Sequence, residues 1–236
     1  MKIWGYWSTL GWAILAFLAG QVAGLGLLLR LNTGDWSRVL QSPYDGVLVT
    51  LFIVISNPVT IAVLALAVRL AGAGQVEYFA LQRPQRRDLL FGLACLVVLI
   101  AVSDAALYLS GRDLVTPFQL QSYTTAAAEG WLVPMFAAAI LVAPAGEEMM
   151  FRGFLFRGWA RSERSAWPAI VGISLLWAAL HLQYDWTGMI QIFVIGLLLG
   201  WMRLRSGSTL LTFVLHALFN LEGTMETFVQ VHFFAK

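Results

Sequence analysis

The sequence predicts an all-α, polytopic membrane protein with seven to eight transmembrane helices, and three observations carry that expectation. Of its 236 residues 59% are hydrophobic and 12% charged, with a mean hydropathy of +0.76; a soluble domain is roughly 45–50% apolar and about 25% charged. Apolar runs near the ~20 residues needed to cross a bilayer as helix recur along the chain. Basic residues gather in alternate loops, the pattern that topology imposes. The net charge of +2 is too small to suggest nucleic acid as a partner, and the lone Cys95 excludes an internal disulfide. No polar block is long enough to fold separately, so 1–236 reads as a single membrane domain in contact with membrane lipids.

The expected spans, in order, are Ser8–Leu29, Val47–Ala71, Leu89–Leu109, Trp131–Phe156, Trp167–His181, Thr187–Met202 and Thr209–Leu221. The first reads as a retained span, since no small-residue cleavage site follows it early. The last three are short enough to be tilted or broken. The stretch Leu114–Gly130 is polar and Ala/Thr-rich and reads as an external loop or re-entrant linker, and Glu222–Lys236 as a tail with an apolar patch. Arg83, Arg86 and Arg87 follow the second span, Arg157, Arg161 and Arg164 the fourth, and Arg203 and Arg205 the sixth. The other loops hold Arg30, Arg38 and Arg112. The positive-inside rule then places the even-numbered loops and the N-terminus, with Lys2, in the cytoplasm. Trp4, Trp36, Trp131, Trp159, Trp167, Trp186 and Trp201 fall near span ends, as an interfacial belt does. Trp177 lies deep within a helix.

Against that background Glu147 and Glu148 stand side by side in AAAILVAPAGEEMMFRGFLF. Carboxylates at membrane depth are costly unless paired or facing a wet cavity, and so mark a functional site by default. Glu148 and Arg152 share a helix face at i,i+4, acid first, the better order for an ion pair. Glu147 is turned about 100° away and is free to face another partner. Two further apolar stretches carry His181 and His216, and Asn220 follows His216 at i+4. Glu147 is fourteen residues before Arg161 and His181 fourteen after Trp167, so both lie roughly 21 Å from the same loop at about 1.5 Å per residue. Trp177 precedes His181 by one turn, which packs the indole over the imidazole. Pro144 and Gly146 invite a break in the helix just before the acids. Each piece also has a structural reading: an ion pair for Glu148–Arg152, interhelical hydrogen bonds for the histidines and for Asp104, an interfacial position for His232. Those readings leave unexplained why four polar groups sit in three otherwise apolar helices. Carboxylate and imidazole together suggest proton chemistry on a water, in hydrolysis or in proton-coupled transport.

The residues EEMMFR (Glu147, Glu148, Arg152), WAALH (Trp177, His181) and HALFN (His216, Asn220) resemble, in order, the EExxxR, FxxxH and HxxxN motifs of the CAAX prenyl endopeptidase and bacteriocin-processing (CPBP, or Abi) intramembrane proteases. Trp177 replaces the Phe of the second motif. The resemblance runs over about Pro144–Asn220, within a core at 131–221 drawn from the last four helices. It implies an intramembrane endopeptidase acting on membrane-attached or lipidated peptides, with the cut expected near the cytoplasmic face; small size and the lack of a targeting sequence favour a bacterial inner membrane. Glu147 would be the general base, His181 would hold the water, His216 and Asn220 would donate to the oxyanion, and Glu148 with Arg152 would brace the site. A metal-independent reaction is preferred; zinc held by Glu147, His181 and His216 is the alternative. A catalytically silent bacteriocin-immunity or scaffold protein and a proton-coupled transporter are the competing functions. The C-terminal FFAK has no cysteine four from the end, so the chain is not read as a prenylation target itself.

Overall fold

The computed structural model describes residues 3–31 and 44–234; Lys2, Trp36, Arg38 and the end of the FFAK segment lie outside them. Nine helices and no strand occur among the described residues: α1 (Tyr6–Leu31), α2 (Gly46–Leu70), α3 (Gln75–Tyr78), α4 (Arg86–Leu109), α5 (Pro117–Ala128), α6 (Leu132–Trp159), α7 (Glu163–Ala179), α8 (Trp186–Ser206) and α9 (Thr209–Val229). Five of them, α1, α2, α4, α6 and α8, are long and apolar enough to cross a membrane. The remaining two expected spans are α7 and α9. With 17 residues α7 is short of the ~20 a crossing needs, and α9 has the length but carries His216, Asn220, Glu222 and Glu226.

Cap chemistry sets several boundaries. Asp45 accepts from the N–H groups of Val47 and Leu48, each at 3.0 Å, at the start of α2. Asp185 accepts from Gly188 at 2.9 Å to open α8, and Ser162 and Ser165 form a reciprocal box at the start of α7. Gly207 ends α8 at a φ of 68°, a left-handed turn that glycine adopts without a Cβ penalty. The stretch Leu114–Gly130 departs from expectation. It contains α5, begun by a Thr116/Gln119 capping box with Pro117 in the first turn. The tail differs too, because α9 runs on to Val229 and into a wide turn at Gln230–Phe234.

Helix α6 is the hub, packing on α1, α2, α7, α8 and α9. One end of the bundle is closed by the loops that carry arginine. There Tyr78 and Phe79, both fully buried, pack on Phe154 with ring centroids 5.5 and 6.4 Å away. Ser208 donates to Gln82 O at 2.6 Å, Thr209 N–H to Ala80 O at 2.9 Å, and Arg161 to Trp4 O at 3.0 Å. These bonds gather the N-terminal segment and three loops at one end. At the other, Arg112 pairs with Asp185 at 2.9 Å, Tyr123 meets His232 at 3.0 Å, and Ser122 donates to Tyr44 O at 2.9 Å. The site lies between these ends.

Candidate active site

The expected break in α6 is instead a widening. Two π-helical stretches, Ala138–Val142 and Met149–Leu155, flank the segment Ala143–Glu148. Such insertions recur at functional sites because they rotate side chains and free backbone groups. Here the cause is local. Ala143 N–H bonds to Ala138 O, an i−5 step, and the next donor in that register would be residue 144, a proline without an N–H. Ala139 O is left without that partner, and Asn220 Nδ2 donates to it at 2.8 Å. Pro144 thus creates the socket into which α9 plugs its asparagine. Gly146 completes the fit, since a Cβ there would overlap the Asn57 side chain of α2.

Glu148 and Arg152 form the expected ion pair, Nη1 to Oε1 at 2.8 Å, with both side chains 1% exposed. The same Oε1 meets His216 Nδ1 at 2.9 Å. An ionised carboxylate only accepts, so Nδ1 is the donor in this contact. Arg152 also donates to Gly196 O at 3.3 Å and lies 4.4 Å from the Trp177 ring centroid. Close packing of α7 and α8 permits this, as a Cβ at Gly196 would fall 2.9 Å from Ser174 Cβ.

Trp177 is the centre of the arrangement. Its indole N–H donates to Glu147 Oε2 at 2.6 Å. Its ring meets His181 edge-on at 5.3 Å and His216 at 5.1 Å. His181 Nδ1 lies 2.8 Å from Trp177 O; a carbonyl only accepts, so here too Nδ1 is the donor. The expected packing of indole on imidazole is present, and Glu147 does turn to a partner of its own. The structure therefore brings Glu147, His181, His216 and Asn220 to one cavity of about 690 Å³, with Trp177 in its wall. Glu148 and Arg152 stand behind.

Sequence reasoning missed three contributors. Tyr184, in the turn between α7 and α8, stacks on His181 at 6.2 Å and lines the cavity. Burial, with the Glu147 charge adding to it, pushes its phenol up to about 12, so it remains an O–H donor at neutral pH. Asn57 is the second. The third is the neighbourhood of Asp104, which has matching acids after all: Glu222 and Glu226, one turn apart on α9, bring carboxylate oxygens within 4.8 Å of it and of each other. The i,i+4 spacing of Glu222 and Glu226 was a readable signal; their approach to α4 was not. His232, taken as interfacial, meets the Tyr123 hydroxyl.

For a metal the fit is poor. Among the described residues the Asp104, Glu222 and Glu226 set is the one whose donor atoms are gathered within 4.8 Å. The donor atoms of Glu147, His181 and His216 are not gathered to that distance, and the Nδ1 bonds of the two histidines would leave Nε2 as the atom to reach an ion. These residues do not form a His₂Glu zinc set as they stand, and no step below runs through an ion.

Comparison with known proteins agrees with this geometry. Residues 129–221 match the family model of the type II CAAX prenyl endopeptidase Rce1-like proteins, consistent with the CPBP family that the three motifs resemble. All three motifs fall inside the matched segment. Over 130 residues the chain is 30% identical to an uncharacterized 24.3 kDa protein of Escherichia coli, a match covering 53% of this chain and 59% of that relative. No solved structure matches the chain. The helices long and apolar enough to cross a membrane fit an integral membrane protein, and the segment 129–221 is similar to the CAAX-protease type.

Proposed function

We propose that the protein is an intramembrane endopeptidase that hydrolyses a peptide bond of a membrane-attached or lipidated substrate, with Glu147 as general base. The observation that carries this is the convergence of Glu147 and the imidazoles of His181 and His216 on one cavity, each held by a hydrogen bond. Glu147 takes a proton from a water that His181 Nε2 orients, and the hydroxide attacks the scissile carbonyl. Charge then develops on the carbonyl oxygen, where donors count most. Asn220 has a second N–H beyond the one given to Ala139 O and is the donor to the developing oxyanion, with His216 beside it in the same cavity. Glu147 returns its proton to the leaving amine. Behind them Glu148 and Arg152 fix the His216 ring.

Glutamate chemistry without a metal is the preferred form, because the donor atoms are not gathered as a ligand set. The Asp104, Glu222 and Glu226 group is the feature that a proton-coupled transporter would use, and it is the reason to keep that second reading. Purified protein given a prenylated CAAX peptide separates the two. Cleavage by the wild type that survives a chelator and falls about 10²–10⁴-fold in Glu147→Gln supports the reading. Proton flux in proteoliposomes without any cleavage would move transport ahead.

A further inference from the structure

The helices α1, α2, α4, α6, α7, α8 and α9 each line the cavity with one end. On α1 the lining residues fall within 17–28, on α2 within 48–60, on α4 within 100–107, on α7 from 177 onward, on α8 within 188–192 and on α9 within 216–227. On α6 they fall within 135–151. Because successive helices run in opposite directions, these segments occupy one half of the bundle, the half tied together by Arg112–Asp185, Tyr123–His232 and Ser122–Tyr44. None of the residues in the arginine-bearing loops at 71–86, 160–166 and 203–208 lines it. That other end is sealed instead by the Tyr78, Phe79 and Phe154 rings and by the bonds joining Gln82 and Ala80 to Ser208 and Thr209.

Charge labels the two halves. Arg69, Arg83, Arg86, Arg87, Arg157, Arg161, Arg164, Arg203 and Arg205 belong to the sealed end, whereas Arg30 and Arg112 are the described arginines of the open one. No lysine or arginine lines the cavity, while Asp104, Glu147, Glu222 and Glu226 do. Short basic loops are retained in the cytoplasm, and acidic residues contribute little to that sorting.

Resting on the endopeptidase reading above, we infer that the cavity opens to the non-cytoplasmic face of the membrane, so that the substrate is a polypeptide whose scissile segment has already crossed or been inserted. This reverses the expectation of a cut near the cytoplasmic face. Water and chain enter past Leu114, Gln119 and Gln183, at the arginine-poor end, and reach Glu147 from there. The substrate class is an exported or membrane-anchored peptide presented from the outer side. Proteins lipidated at a cytoplasmic C-terminus would meet the sealed end.

Cysteine accessibility tests this without any turnover. In a Cys95→Ala background, single cysteines replace Gln21 inside the cavity, Gln183 at its mouth and Arg164 in a basic loop. Sealed right-side-out and inside-out vesicles are treated with a charged, membrane-impermeant methanethiosulfonate. The expected result is modification of Gln21→Cys and Gln183→Cys at least about tenfold faster in right-side-out vesicles, and the reverse for Arg164→Cys. Faster modification of Gln21→Cys from the inside-out face overturns the inference, as does labelling of Gln183→Cys and Arg164→Cys from the same side. Peptide added outside each vesicle type reports on the chemistry separately. If labelling is as expected and neither vesicle cuts, the endopeptidase reading fails while the outward opening stands.

Discussion

At the residue scale the account turns on Trp177. A phenylalanine at this position, as in the family motif, would keep the aromatic contacts with His181, His216 and Arg152 but has no donor for Glu147. Hydrogen bonds to charged groups contribute about 1.5–3 kcal/mol, and about 1.4 kcal/mol is tenfold in rate. Trp177→Phe is therefore expected to lower kcat by about 10–100-fold with KM little changed, measured by steady-state cleavage of a peptide. Behind it, Arg152→Ala leaves the buried Glu148 carboxylate without its guanidinium partner. Removing one partner of a buried pair costs about 3–5 kcal/mol, so this variant should unfold well below the wild type in detergent melts.

At the scale of elements, the joint between α6 and α9 is the most specific claim. Asn220→Ala leaves Ala139 O unpaired, which costs about 1–3 kcal/mol of stability, and removes an oxyanion donor worth about 10²–10³ in rate. The double variant Pro144→Ala, Asn220→Ala supplies a backbone N–H in place of the side chain. It is expected to recover stability in a thermal melt but not the rate of cleavage; recovery of both would contradict the oxyanion role. Much of this region could be read from the chain. The i,i+4 pair Glu148–Arg152, the separate facing of Glu147 and the contact of Trp177 with His181 all follow from helical period alone. What periodicity does not carry is hydrogen-bond register: Pro144 and Gly146 signalled a disturbance, yet a break and a π widening share that signal. Thr116, Pro117 and Gln119 spelled a helix start that composition overrode, so α5 went unread. Tyr184 and Asn57 reach the site through packing between helices, which spacing along one helix cannot reveal.

At the scale of the whole molecule, a bundle of apolar helices surrounds a cavity that holds the polar site residues, and α6 joins the cavity to the helices on either side. Composition was enough to place the chain in a membrane, and alternating basic loops carry the expected order of its faces. Neither could show which half holds the cavity, because that depends on how seven antiparallel segments align their polar residues in depth. The central claim is that Glu147 in this cavity hydrolyses peptide bonds. The most direct measurement compares membranes carrying the wild type with membranes carrying Glu147→Gln, by mass spectrometry of newly formed peptide termini. The account predicts termini found with the wild type alone, in segments of substrate on the non-cytoplasmic side. Identical termini in both, with a cellular phenotype still lost in Glu147→Gln, would contradict it and leave transport or scaffolding as the function.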